Sequence, residues 1–263
     1  MKKTLLFVTA LLTSLALCLP AMAETITIVG TGDGTTVLKN IGKAFSAANA
    51  GVTVDVPRSI GSGGGIKAVG KGEYKLGRVA RGIKDKEKHF GLTYKVYAKI
   101  PVVFVVNPSA GVSDLSAQQV ADIYSGKITN WQDVGGNSGK IRVVRREDGD
   151  SSLKVLRKSF PGFKDLTITK KSKTALKTPK MIELISKKTG TIGFGPMDVA
   201  KAHNLTVVNI DGKSPLDPDY PSLGTMGLIF KKENNSGAIK QFIDFATSPA
   251  AHDAITSAGG IGI

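Results

Sequence analysis

Lys99-Ile100-Pro101-Val102-Val103-Phe104-Val105-Val106 is a run of β-branched and aromatic residues too continuously apolar for a half-exposed strand. Such a strand belongs in the middle of a sheet that helices cover on both faces. Asn107-Pro108 ends it. A second extended segment returns near Leu223–Lys231. The two read as crossings between lobes: the chain starts one lobe, crosses through Ala98–Val106 to build another, and returns to finish the first. The expected division is residues 24–101 and 225–263 for a discontinuous first lobe and 102–224 for the second. Lobes joined by crossing strands hinge about a cleft, where small ligands commonly sit.

Outward from that strand, short extended runs alternate with helical patterns, the mark of α/β layers. Upstream lie strands at Thr25–Val29 and Val52–Val56, with helices over about Thr36–Asn49 and from near Ile66 to Val69. Downstream, helices are expected at Ser116–Ser125, Ser151–Phe160, Pro179–Lys188 and Met197–His203. Strands are expected at Ile141–Arg145, Leu166–Thr169, Gly190–Phe194 and Thr206–Ile210. Helices at Gly237–Thr247 and Pro249–Ala258 close the chain, which contains no tandem repeat.

Residues 1–23 read as a cleaved signal peptide. Lys2 and Lys3 precede the apolar Leu5–Leu19, and Ala21-Met22-Ala23 is a small-x-small cleavage site before Glu24. The apolar run is short for a membrane span, and Leu17 stands where a lipid attachment site at Cys18 needs a small residue. Secretion to the periplasm is the expectation. Cys18 is the single cysteine, so the remaining chain of about 240 residues must be held by its hydrophobic core without disulfides. The balance of 36 Lys+Arg against 21 Asp+Glu gives a formal net charge of +15. Nucleic acid is a poor partner for it, because Trp131 is the single tryptophan and no aromatic platform accompanies the charge. A field that gathers small anions fits as well. The lysines of Lys170–Lys188 read as a solvated face whose role stays open.

Three turns carry the chemistry. Gly61-Ser62-Gly63-Gly64-Gly65 lies between the strand ending at Val56 and the helix that follows, leaving amides and a hydroxyl open to an oxyanion. Gly30-Thr31-Gly32-Asp33-Gly34-Thr35-Thr36 repeats the pattern with two threonines. It misses the dinucleotide spacing G-x-G-x-x-G at Thr35. Arg145-Arg146-Glu147-Asp148-Gly149-Asp150-Ser151-Ser152 adds a guanidinium fork to hydroxyls at a helix start, with Asp148 placed to orient the arginine. Taken singly, each turn also reads as an ordinary capped helix start. Gly65–Lys71 matches the phosphate-loop spacing, but Gly72 replaces the Ser or Thr that would hold magnesium, which argues against nucleotide hydrolysis.

Three segments in this order, Gly61–Lys67, Ser125-Gly126-Lys127-Ile128-Thr129-Asn130-Trp131 through Gly136, and Arg146–Ser152, resemble the phosphate-binding component of ABC phosphate importers. Gly190–Phe194 resembles a further segment of that family. The resemblance spans essentially the whole chain after the leader. It implies an α/β, type II periplasmic-binding-protein fold: two lobes, each a mixed sheet flanked by helices, with the ligand cleft at the hinge. It also implies capture of inorganic phosphate, delivery to an ABC permease, membrane contact through that permease alone, a monomer, and neither cofactor nor metal. By motif position, Thr35, Thr36, Ser62, Arg146, Ser151 and Ser152 inherit phosphate binding, with Gly63 and Arg81 as further candidates. The chain departs from the family at Ala80, where Ser or Asp is usual, and at Asp150, where Ser is common; Arg78 and Arg81 add positive charge beside Ala80. Asp150 or Asp33 is then the candidate acceptor of a phosphate proton, which sulfate lacks.

Other classes fit less well. His89, His203 and His252 are scattered without metal-ligand spacing, and Ile60-Gly61-Ser62-Gly63 is no nucleophile elbow, so catalysis has little support. The same fold binding sulfate, arsenate or a phosphonate is the main alternative. A sensory or surface protein whose lysine face meets an anionic polymer is the other.

Overall fold

The computed structural model describes residues 24–263. The expected leader, Cys18 included, lies outside the described residues. The chain forms β1 (Glu24–Gly30), α1 (Thr35–Ala48), β2 (Val52–Asp55), α2 (Gly61–Gly70), β3 (Leu76–Val79) and β4 (Thr93–Val106). Then come β5 (Asp114–Leu115), α3 (Ala117–Ser125), β6 (Arg142–Arg146), α4 (Ser151–Ser159), β7 (Lys173–Ala175) and α5 (Thr178–Lys187). β8 (Thr191–Pro196), α6 (Met197–Ala202), β9 (Thr206–Ile210), β10 (Leu223–Phe230), α7 (Gly237–Ala246) and α8 (His252–Ser257) complete it.

β4 is the spine of the molecule. Its first part, Thr93–Pro101, pairs antiparallel with Leu223–Phe230 of β10, while Val102–Val106 pairs with β8. The same end also pairs with β9. One strand therefore joins two halves of a continuous sheet ordered β2-β1-β3-β10-β4-β8-β6-β7. The cores divide at the same place. Ile100 belongs to a core with Val37, Ile41, Phe45, Met226 and Phe242, whereas Val102 opens another with Phe104, Tyr124, Phe163 and Phe194. Phe104 meets the rings of Tyr124, Phe160, Phe163 and Phe194 at centroid separations of 4.9 to 6.3 Å. Each such buried ring contributes about 1.5–3 kcal/mol.

The glycine-rich segment is not a loop. It is the first turn of α2, which begins at Gly61, five residues before the expected start at Ile66. Glycine is a poor helix former, but close packing dictates it here. A Cβ on Gly65 would stand 2.8 Å from Gly30 Cα and 3.2 Å from Val29 O, so a larger residue would lift α2 off β1. Two other expectations are corrected. Leu166–Thr169 joins no strand: Ile168 is buried, but the Thr169 amide donates to Tyr124 O at the end of α3 (2.8 Å). The strand beside β6 is instead β7, in parallel register Val144 to Lys173 through Arg146 to Ala175. β3 also goes unread in the sequence because Arg78 interrupts its apolar pattern; burial is nevertheless complete. Arg78 donates to the carbonyls of Thr31 (2.8 Å), Pro57 (2.7 Å) and Ile28, which ties β3 to β1.

Candidate functional site

Helix starts leave amide donors unpaired, and α1, α2 and α4 all start beside the junction of the two cores. α4 is capped by its own sequence: the Asp150 carboxylate accepts from the Leu153 amide at 2.9 Å. α1 is different. Its N-cap is Gly34, in the left-handed region at φ 73°, and supplies no side-chain cap. The Thr36 amide donates instead to Asp198 Oδ2 at 3.3 Å, across 162 residues of chain. α2 has Ile60 at its N-cap without a side-chain bond, and its Gly61 amide turns to Ser59 Oγ at 3.2 Å. The amides of Ser62 and Gly63 lie in the first turn, where no intrahelical acceptor exists.

Between the halves is a cavity of about 10 Å³, scarcely room for one water. Asp33, Ala80, Ile100 and Met226 line it from one side, and Val102, Ser151, Ser152 and Val155 from the other. Ser151 Oγ donates directly to Asp33 Oδ2, bridging the two sides. Of the expected residues, Asp33, Ser151 and Ser152 thus come together, with Ala80 beside them. Asp150 and Arg146 stand next to this group, joined at 3.1 Å.

The remaining expected residues are engaged elsewhere. Thr35 Oγ1 donates to Gly32 O at 2.8 Å, and Ser62 Oγ accepts from the Ala80 amide at 3.1 Å. Arg146 is buried and held by Glu147 (3.1 Å), Asp150 and Thr178 Oγ1 (3.0 Å). Asp148, expected to orient Arg146, pairs with Arg145 instead. Arg81 forks onto both oxygens of Glu87 at 2.7 Å, although its Nη2 comes within 3.9 Å of where a Gly63 Cβ would be. Arg78, expected to add charge beside Ala80, is the buried tie between β1 and β3 and offers no donor to the cleft. Trp131 is buried, with its indole N–H donating to Gly190 O at 3.0 Å.

Sequence reasoning missed Asp198. An acid at the start of a short helix is unremarkable as a partner for the helix dipole, so nothing local distinguishes it. The fold buries it completely, and its Oδ1 has no hydrogen-bond partner among the described residues. Burial, then the charge of Asp33, pushes its carboxyl up to about 7. Asp33 is raised too, first by burial and then by Asp150, against the Ser151 hydrogen bond and the Arg146 charge. Asp150 is also raised, by burial ahead of the opposing pull of Arg146. All three carboxyls beside the helix starts are thus harder to ionise than an ordinary acid, and Arg146 is already matched by two acids. This arrangement suits an oxyanion that arrives with a proton to share, and it opposes one that is fully charged. Among the described residues, no cluster of His, Cys, Asp or Glu is placed to hold a metal ion. None of the described helices is long and apolar enough to cross a membrane.

A family model described as the PBP superfamily domain matches residues 20–250. The phosphate-binding protein PstS of Bacillus subtilis (strain 168) is 28% identical over 212 residues, covering 76% of this chain and 68% of its own. The PstS of Borreliella burgdorferi is 25% identical over 228 residues, covering 82% and 81%. A crystal structure from Clostridium perfringens, described as a phosphate ABC transporter substrate-binding protein with bound phosphate, superimposes with a TM-score of 0.76. It shares 28% identity and covers 91% of this chain and all of that one.

Proposed function

The chain belongs to the PBP superfamily, and on that premise we propose that it captures inorganic phosphate between its lobes and delivers it to an ABC permease. The observation that carries this reading is the convergence of two helix starts from opposite halves, with Asp33 hydrogen-bonded to Ser151 between them. The lobes of the proposal are residues 24–101 with 225–263, and 102–224; the division of the cores between Ile100 and Val102 supports that boundary. Thr35, Thr36 and Ser62 belong to the first lobe, and Arg146, Ser151 and Ser152 to the second. A ligand touching both favours the closed form, as a hinged capture protein requires.

Binding begins from an opened cleft. Phosphate would take the Ser151 hydroxyl from Asp33 and the Thr36 amide from Asp198, and place its charge toward the α4 start beside Arg146. The displaced Asp33, or Asp150, accepts the phosphate proton. Sulfate brings no such proton and meets the carboxylate as a repulsion. Function here is reversible capture, in keeping with relatives that are named as binding proteins. Secretion by a leader over residues 1–23, an extracytoplasmic location and a monomeric state belong to the same proposal.

Calorimetric titration with phosphate, sulfate and arsenate tests it. At about a hundredfold its dissociation constant, phosphate adds roughly 2.7 kcal/mol to folding stability, visible also as a thermal shift. No response to any tetrahedral anion would sink the capture reading. Unchanged phosphate-over-sulfate preference in both Asp33→Asn and Asp150→Asn would remove the proton-acceptor role. One observation favours a second reading, another oxyanion such as sulfate, arsenate or a phosphonate: Ala80, among the residues lining the cavity, has no side-chain donor or acceptor.

A further inference from the structure

A second cavity shares no lining residue with the cleft. It holds about 620 Å³ in the half built around Phe104, within the range of small-molecule sites. The reason for the space is topological. β7 joins β6 only from Val144 onward, and just ahead of Lys173 the chain is drawn away to α3 by the Thr169 amide. Apolar side chains that a longer strand would cover, Ile128, Ile141, Val143 and Leu184, line the gap. Exposed Lys140, Arg142, Lys171, Lys173 and Lys188 stand around it. None of the lining residues is acidic, and among the described residues these four lysines form no ion pair. The basic Lys170–Lys188 run, featureless in the sequence, thus supplies three of the cations at one apolar cavity.

We propose that this cavity is a second binding site, for an anionic amphiphile: a carboxylate or phosphate head on an aliphatic body. An inorganic oxyanion would leave the apolar floor unused. A neutral hydrocarbon would leave five cations without a counter-charge. Only a ligand with both parts matches the floor and the mouth at once. The site is independent of the cleft and of the phosphate reading, since it shares no lining residue with the cavity at Asp33.

The test titrates the protein with decanoate and decyl phosphate below their micellar concentrations. Calorimetry and amide chemical shifts report binding, and decyltrimethylammonium is the control. Saturable one-to-one binding of both anions is expected, with shifts at Ile128, Val143 and Leu184 and none with the cation. Lys171→Glu/Lys173→Glu/Lys188→Glu, all at exposed positions, should weaken it about tenfold or more. Ile128→Asp should weaken it from the apolar side, and inorganic phosphate should displace neither ligand. The proposal is overturned by absence of saturable binding, or by equal affinity in the charge-reversed variant. Loss of decanoate binding on Ser152→Ala, which would put the ligand in the cleft, also overturns it. So does binding to vesicles of anionic lipid without binding to the free amphiphiles, which would reduce the lysines to a membrane-facing surface.

Discussion

The starts of α1 and α4 face each other with the same chemistry and are satisfied in opposite ways. α4 carries its cap within one turn of chain, at Asp150, so opening the molecule leaves that cap in place. α1 has a glycine at its N-cap and takes its carboxylate from Asp198, far along the chain at the start of α6. A local cap is a property of the helix, whereas a remote one is a property of the packed arrangement. The contrast teaches which end a ligand can take over most readily. An anion arriving at α1 replaces a carboxylate held only by packing, while at α4 it must share space with one covalently fixed beside it.

Removing the remote carboxylate should produce the largest change. Between about pH 4 and the value near 7 reached by Asp198, the folded protein holds a proton that the unfolded chain has released. Stability from this group is therefore fully present below about pH 4 and is lost as pH rises toward 7. Denaturant titrations of the wild type from pH 4.5 to 8 should show a fall on the order of 3 kcal/mol. Asp198→Asn keeps an oxygen for the Thr36 amide without the charge, so it should flatten most of that slope and leave the contribution of Asp33. An unchanged slope would show that Asp198 does not titrate in this window.

The same contrast explains what the sequence revealed. The spine β4 was legible because an unbroken apolar run has few other places to go. The α4 turn was legible because its cap, hydroxyls and arginine sit within seven residues. Asp198 was not, since its role arises from Thr36 and Asp33, which only the fold brings to it. The start of α2 was misread for a related reason: helix propensity argues against Gly61–Gly65, and the approach of Gly65 to Gly30 overrides propensity. Arg78 read as added positive charge beside Ala80 because a strand pattern cannot show three carbonyls waiting in the core.

At α4 the local cap can be divided into its two duties. Asp150→Ala removes both the Leu153 acceptor and the partner of Arg146, and should cost about 2 kcal/mol at pH 8. Asp150→Asn retains an acceptor for Leu153, so it should cost less than about 1 kcal/mol. Thermal or urea unfolding of the pair decides the matter. Equal losses would mean that the ion pair with Arg146, and not the cap, is what Asp150 contributes.

A smaller effect on stability than loss of the whole Asp150 side chain falls where the two halves touch. Ser151→Ala removes the one hydroxyl that bridges to Asp33, and a single hydrogen bond of this kind contributes about 1 kcal/mol. Its consequence is larger in shape than in folding, because the bond exists only when the halves are together. A loss of about 1 kcal/mol from the closed form alone multiplies the open population roughly fivefold. Fluorescence energy transfer between dyes at exposed Lys39 and Lys154, read without ligand, should shift toward the open distance in Ser151→Ala. Saturating phosphate should restore the closed distance through the contacts that remain. If transfer is unchanged while stability falls, the hydroxyl serves the α4 turn and the bridge to Asp33 does not hold the halves together.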